Sequence, residues 1–241
     1  MKEILYPFRQ KKTVLQIVVC TLVFIGMAVP FKSMSLVEGF TEVRPVNAVP
    51  VVVGLLYGPA GAWGCAIGNV IADLFGSFSK TSILGFAGNF IAAYLPYKLW
   101  HILRYEQTPN VKNYKNIGIY IFISAIGALA TGTILTCGLD LLFGIWLKQL
   151  FVIICLNDFF FPIFLGLPVF IVLTCDDYKV SIYMPKDIGK YEGVRKVLFW
   201  ALVLSIISIL FMICLGYTMS SNCLMLLFGG IFLVSLVGII I

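Results

Sequence analysis

Three polar residues within apolar stretches of the sequence are the strongest candidates for binding chemistry. Asn69 and Asp73 are four residues apart in the stretch 60–77, so a helix places both on one side. Asp158 lies about ten residues into the stretch 148–174, which at roughly 1.5 Å per residue is near the midplane of a bilayer. An ionisable residue inside a membrane span is costly. Each carboxylate therefore needs a partner or a wet cavity.

Arg44 is the natural partner for Asp73. It precedes a short apolar segment, 46–57, at the same predicted level as Asp73, which favours an ion pair between the two side chains. Such a pair can pin two helices together, contact a ligand, or do both. Asn47 and Asn89 add amide groups that could line a wet cavity.

Asp158 is followed by three phenylalanines and by two prolines, Pro162 and Pro168. Prolines within a span free backbone carbonyls, which often marks a kink beside a cavity. Asp158 is thus a candidate proton or cation site, a candidate ligand contact, or a hydrogen-bonded packing residue.

Four further polar residues are weaker candidates. Asp140 and Lys148 flank a predicted outer turn, where they are solvated or gate a pocket. His101 is expected to contact solvated lipid headgroups, and Tyr94 is expected in the core.

The elements that position these residues are predicted to be membrane-spanning helices. Of 241 residues, 61% are hydrophobic and 12% charged, with a mean hydropathy of +1.03. Soluble domains usually carry about 25% charged residues. The apolar runs approach the roughly 20 residues that a spanning helix needs. The chain is therefore predicted to be an all-α, multi-pass membrane protein.

Eight apolar segments can be drawn, and they divide the chain into three regions. A six-helix membrane domain is predicted over 1–175, a cytoplasmic loop over 176–194 and a transmembrane helix pair over 195–241. The eight segments are 13–30, 46–57, 60–77, 82–103, 116–143, 148–174, 195–217 and 222–241. The second is short and broken by proline, so we expect a short or re-entrant helix.

The basic residues predict the orientation. With the N-terminus in the cytoplasm, only four of the 17 lysines and arginines fall on the outer side: Lys32, Arg44, Lys80 and Lys148. This asymmetry satisfies the positive-inside rule and places the protein in the cell membrane. Because the basic residues lie between apolar runs, the net charge of +6 indicates orientation in a bilayer and not nucleic-acid binding.

Small residues recur every four positions on the third segment, at Gly64, Gly68, Ala72 and Gly76. Such a stripe lets helices approach closely in lipid, where packing drives association. Tight bundle packing is the direct interpretation, and sliding against a neighbouring helix is the functional one.

Enzymatic signatures are not found in the sequence. It contains no HExxH, GxSxG or phosphate-loop motif. The seven cysteines lack CxxC spacing and histidine partners, so neither a metal nor a cofactor is expected. Active transport would need energy from a partner or from an ion gradient.

The stretch VRPVNAVPVVVGLLYGPAGAWGCAIGNVIADLFGSF resembles the second and third helices of energy-coupling-factor transporter substrate-binding subunits, the S components. The pattern is carried by a Gly-Leu-Leu-Tyr-Gly-Pro turn at 54–59 and by a Gly-rich helix that closes with Asp73, Leu74 and Gly76. The likeness extends more loosely over the first six helices.

The resemblance implies a six-helix bundle that captures a vitamin or related micronutrient from the outer side. Its partners would be a shared coupling transmembrane subunit and two ATPases. It also implies a set of pocket residues: Arg44, Asn47, Asn69, Asp73, Asn89 and Asp158.

Two alternatives stay open. The final helix pair is additional to an S component, and the sequence reaches Ile241 without a polar tail. A ligand-sensing membrane domain placed ahead of a signalling domain is therefore the second hypothesis. An ion-coupled carrier that uses Asp158 is the third.

Overall fold

The computed structural model describes residues 2–31, 35–37, 41–76, 78–105, 107–175, 180–185 and 192–241. Within these ranges the protein is a bundle of α-helices with one small β-ribbon. The helices are α1 Lys2–Leu5, α2 Lys11–Ala28, α3 Ala48–Tyr57, α4 Pro59–Asp73, α5 Ser82–Arg104, α6 Tyr114–Phe143, α7 Lys148–Phe161, α8 Leu167–Thr174, α9 Glu192–Cys214 and α10 Cys223–Ile240. Each predicted apolar segment overlaps at least one of them.

The sequence did not predict the ribbon. Its strands, β1 Ser35–Val37 and β2 Thr41–Glu42, are antiparallel, with an irregular register that pairs Ser35 with Glu42 and Val37 with Thr41. Three single-turn 3₁₀ helices flank longer elements, at Tyr6–Arg9, Val29–Phe31 and Pro45–Asn47.

Among the described residues, five helical stretches are long and apolar enough to cross a membrane. They are Lys11–Phe31, Tyr114–Phe143, Lys148–Thr174, Gly193–Cys214 and Cys223–Ile240. These stretches indicate a multi-pass membrane protein. The stretch Pro45–Tyr57 is apolar but shorter, as its sequence predicts.

Part of the predicted topology lies outside the described residues. Of the predicted loop 176–194, the structure describes 180–185 and 192–194. The basic residues Lys32, Lys179, Lys186 and Lys190 fall in the remainder of the chain, as does Ser77 at the end of the third predicted segment.

Helix α4 packs against α2 through its small residues. A Cβ at Gly64 would collide with the Cβ of Cys20, and one at Gly68 would lie 2.8 Å from the Cβ of Phe24. The fully buried Ala72 continues this face. Gly76 lies beyond the end of α4, and a Cβ there would meet nothing within 4 Å. The helical part of the stripe thus ends before Gly76.

Helices α3 and α4 are joined by a tight turn at Gly58. Its φ of +53° is a conformation that L side chains rarely adopt, so glycine suits the position. Pro59 then begins α4, where its missing N–H costs no helical hydrogen bond. The turn brings α3 against both α4 and α5.

The predicted kink in the sixth segment is a π-helical turn, Pro162–Gly166, between α7 and α8. Proline cannot donate to the preceding turn, so the hydrogen-bonding pattern there changes. The hydroxyl of Tyr120 on α6 donates to the carbonyl of Pro162 at 3.1 Å. The same carbonyl also accepts from the backbone N–H of Leu167, so Tyr120 adds a second donor that ties α6 to the turn.

The bundle has two ends, which we call the Arg44 end and the Glu3 end after a residue that each contains. The Arg44 end holds the start of α3, the last turns of α4 and α6, and the turn between α9 and α10. The Glu3 end holds α1, the α3–α4 turn, the last turns of α5 and the segment 180–185.

Asp140 connects the final helix pair to the rest of the bundle at the Arg44 end. Its two carboxylate oxygens accept hydrogen bonds from the backbone N–H of Ser220 at 2.9 Å and from the hydroxyl of Ser220 at 2.8 Å. Ser220 lies in the turn between α9 and α10, which otherwise pack mainly on each other. Asp140 is buried, so the sequence-based expectation of simple surface solvation is wrong.

Replacing Asp140 by alanine is expected to destabilise the folded protein by about 1–3 kcal/mol, because two hydrogen bonds to a charged group are lost. Ser220→Ala removes only the hydroxyl contact and should cost less. Thermal unfolding of the purified variants measures both. Equal destabilisation by the two variants would contradict this role of the carboxylate.

Candidate functional site

Arg44 is positioned by the chain's entry into α3. It precedes the 3₁₀ turn Pro45–Asn47, which leads directly into that helix. Pro45 suits the first position of the turn, because its fixed φ favours a helical start. The Arg44 side chain is half-buried and directed towards α4.

A chain of hydrogen bonds runs from Arg44 to Asp73. Nη2 of Arg44 donates to Oδ1 of Asn69 at 2.8 Å, and Nδ2 of Asn69 donates to Oδ2 of Asp73 at 3.3 Å. Asn69 and Asp73 are one helical turn apart on α4, and both are buried. Asn69 thus links the two charged groups that the sequence suggested as a direct pair.

A second hydrogen bond connects the start of α3 to α7. Nδ2 of Asn47 donates to Oδ1 of Asp158. Arg44 is close enough to Asp158 for a coulombic interaction between the two side chains. Asp158 therefore faces the polar residues near the start of α3, although it comes from a helix about 110 residues further along the chain.

Helix α5 contributes its backbone and one amide. A Cβ at Gly85 would lie 2.7 Å from Nδ2 of Asn69 and 3.8 Å from Oδ2 of Asp73, so α5 passes directly beside the hydrogen-bonded chain. Asn89 donates to the carbonyl of Gly85 at 2.9 Å, within its own helix. Asn89 thus lies one helical turn beyond Gly85. The hydrogen bond that its side chain makes is to its own helix and not to another candidate residue.

One donor in the network has no partner among the described residues. Nε of Arg44 is buried and lacks a hydrogen-bond acceptor. Buried polar atoms are nearly always paired, so an unused donor near two carboxylates and two amides is a place where an external acceptor would gain a contact. We call this set the Arg44 network: Arg44, Asn47, Asn69, Asp73 and Asp158.

The side chains of the network are hydrogen-bonding groups. Within the described residues, no group of three or more His, Cys, Asp or Glu side chains could hold a metal ion. One guanidinium, two carboxylates and two amides offer directional hydrogen bonds to a polar organic molecule. The surrounding helices supply an apolar wall, which is the usual composition of a ligand site.

Sequence reasoning missed a second polar cluster, at the Glu3 end. Lys98 was counted as a cytoplasmic charge and His101 as a headgroup contact, yet only 5% and 8% of these residues are exposed. Tyr94 is in the core, as expected. The spacing of Tyr94, Tyr97, Lys98 and His101 at three, four and seven residues on one helix was the available signal.

Gly85→Ala tests whether the Arg44 network depends on the close approach of α5. The added methyl group would displace Asn69, which is held on both sides, so we expect a loss of about 1–2 kcal/mol of stability. Gly118→Ala on α6 is the matched control, because a Cβ there meets nothing within 4 Å and alanine favours helices. Chemical or thermal unfolding compares the two, and equal stability would contradict the packing argument.

Comparisons with known proteins give no match. No family model, no curated protein and no solved structure matches this chain. The function is therefore argued from the Arg44 network itself.

Proposed function

We propose that this protein is a membrane-embedded substrate-binding subunit for uptake of a vitamin or related micronutrient. Partner ATPase subunits, acting through a coupling transmembrane subunit, would supply the energy. The observation that carries the proposal is the Arg44 network, in which polar residues from the start of α3, from α4 and from α7 meet in an otherwise apolar bundle.

The cost of the network supports a binding role. Polar and charged groups inside a membrane protein are expensive and usually functional. A network that served packing alone would be expected to pair all of its donors, whereas Nε of Arg44 is left without an acceptor among the described residues. The bound molecule would offer an acceptor to Arg44 and donors to Asp73 and Asp158. A polar heterocycle, with or without an acidic group, fits this description.

The proposed topology follows from the basic residues. Six helices would form the core, two would follow it, and the N-terminus would lie in the cytoplasm of a cell-membrane protein. The Arg44 end would then face outwards, where a scavenged micronutrient arrives.

Asp158 favours a second candidate function, an ion-coupled carrier. It lies within the span Lys148–Thr174 and accepts a hydrogen bond from Asn47 beside the charge of Arg44. A carboxylate that gains and loses a proton or cation at this position could couple an ion gradient to ligand movement. The ligand-sensing domain would use the same network for binding without transport.

The first experiment identifies the bound molecule. The full chain is purified without added ligand, and co-purifying small molecules are released and identified by mass spectrometry. We expect a polar micronutrient to be recovered, and the same compound to raise the melting temperature when it is added back.

Arg44→Gln is then expected to weaken binding of that compound by about ten- to a hundredfold, because a charge-assisted hydrogen bond is lost. Arg9→Gln is the matched control, since Arg9 is exposed and lies towards the Glu3 end. If both variants bound the compound with equal affinity, Arg44 would not be a contact residue of the site. Failure of every vitamin, precursor and modified base to stabilise the protein would contradict the proposed function.

The variant Asp158→Asn distinguishes the hypothesis of a substrate-binding subunit from that of an ion-coupled carrier. Asparagine keeps an acceptor for Asn47. A binding subunit should therefore retain uptake of the identified compound to within about tenfold, because the compound loses only one charged hydrogen-bond partner. An ion-coupled carrier should lose uptake entirely while expression stays normal. Uptake assays in cells measure this, and Asp140→Asn, at a buried carboxylate outside the network, is the control.

A further inference from the structure

The second polar cluster is covered by the first residues of the described chain. We call α1 and the 3₁₀ turn that follows it, Lys2–Arg9, the N-terminal segment. It packs against α4 and joins α2 at Gln10, whose extended backbone separates the two helical elements. This segment lies across the Glu3 end of the bundle.

Glu3 carries a negative charge from this segment into the bundle. Its carboxylate lies 2.5 Å from Nζ of Lys98 and accepts a hydrogen bond from the hydroxyl of Tyr97 at 2.5 Å. The exposed side-chain fractions are 22% for Glu3 and 6% for Lys98. The Lys98 ammonium also lies over the ring of Tyr94, 5.3 Å from its centroid. Both charges are thus largely removed from solvent.

Two contacts with Trp63 on α4 hold the rest of the segment. The indole N–H of Trp63 donates to the carbonyl of Ile4 at 2.8 Å. The ring of Phe8 packs edge-on against the Trp63 indole, with 5.2 Å between ring centroids. The segment therefore has one charged and one aromatic attachment.

The described segment 180–185 covers the same end of the bundle. The backbone N–H of Tyr183 donates to the carbonyl of Leu56 at 2.8 Å. Its ring packs on Gly58, where a Cβ would lie 2.7 Å from it, and on Tyr97 at 5.9 Å between centroids. Tyr6 also lies against the Tyr183 ring, at 6.3 Å. The two segments meet over the α3–α4 turn.

The covered state leaves polar atoms without partners. Among the described residues, Nε2 of His101 has no hydrogen-bond partner, and the hydroxyl of Tyr94 has none at hydrogen-bond distance beyond its interaction with the Glu3 carboxylate, although both residues are more than nine-tenths buried. Departure of the covering segments would hydrate these atoms and both charges of the Glu3–Lys98 pair. Because desolvation opposes the attraction within a buried ion pair, the pair stabilises the covered state by less than its short distance alone would suggest.

We propose that the N-terminal segment and the segment 180–185 form one reversible closure of the Glu3 end, held by the Glu3–Lys98 ion pair. Opening exposes the polar face of α5 that carries Tyr94, Lys98 and His101. The closure does not depend on the proposed function, since a transporter and a sensor could both use it. Two further cations lie at this end: Arg195 on α9 acts on Lys98 by charge, and Lys12 on α2 donates to the hydroxyl of Ser181 at 3.3 Å.

Hydrogen exchange of the full chain in lipid nanodiscs, followed by mass spectrometry, tests the closure. Glu3→Lys places two like charges together and should speed exchange about tenfold in Lys2–Arg9 and in 180–185 alike. The swap Glu3→Lys with Lys98→Glu restores the pair and should return exchange in both segments towards wild type. Lys2→Gln, which removes an exposed charge from the same segment, should leave exchange unchanged.

Three results would overturn the proposal. They are faster exchange confined to Lys2–Arg9, faster exchange spread equally over α6 and α7, and failure of the charge swap to restore protection. Should Glu3→Lys not fold, Glu3→Gln removes the charge alone and the same pattern of exchange decides.

Discussion

The rest of the structure depends on one constraint, the need to satisfy polar groups inside an apolar helical bundle. Each unpaired polar group in hydrocarbon costs several kcal/mol. Arg44, Asn69 and Asp73 meet most of that constraint together, although Nε of Arg44 lacks an acceptor among the described residues, and the pairing of Asn47 with Asp158 meets it for α7. A rotation of α4 by one residue would turn Asn69 away from Arg44. The hydrogen bonds therefore fix the rotation of α4, and with it the face that its glycines present to α2.

The two ends of the bundle satisfy polar groups in different ways. At the Arg44 end an amide stands between opposite charges, so the link from guanidinium to carboxylate is indirect. At the Glu3 end the charges touch directly, and one of them comes from a segment outside the bundle. Helices α4 and α5 contribute to both ends, through Asn69 and Gly85 at one and through Trp63 and Lys98 at the other. These two helices form the framework that relates the ends.

Much of the helical architecture could be predicted from the sequence, because long apolar runs have few alternatives to helix. The spacing of Asn69 and Asp73 predicted their shared face, and Pro162 predicted an irregular turn. The sequence could not show that Asn69 would stand between Arg44 and Asp73, since that depends on side-chain reach across a helix interface. Gly85 carries no side chain to mark its part in the network. The burial and ion pair of Lys98 could not be predicted, because its partner, Glu3, is 95 residues away in a segment too short for a periodic pattern.

The difference between the ends bears on which of them admits a ligand in this conformation. Each carboxylate oxygen of Glu3 already accepts a contact from α5, so a molecule entering there must first break the ion pair. Nε of Arg44, in contrast, has no acceptor among the described residues. If the Arg44 network binds a ligand as we propose, a molecule with an acceptor group would gain a hydrogen bond there before any existing bond is lost. Binding at the Arg44 end could then begin with the network intact, whereas a molecule at the Glu3 end would first have to displace the ion pair.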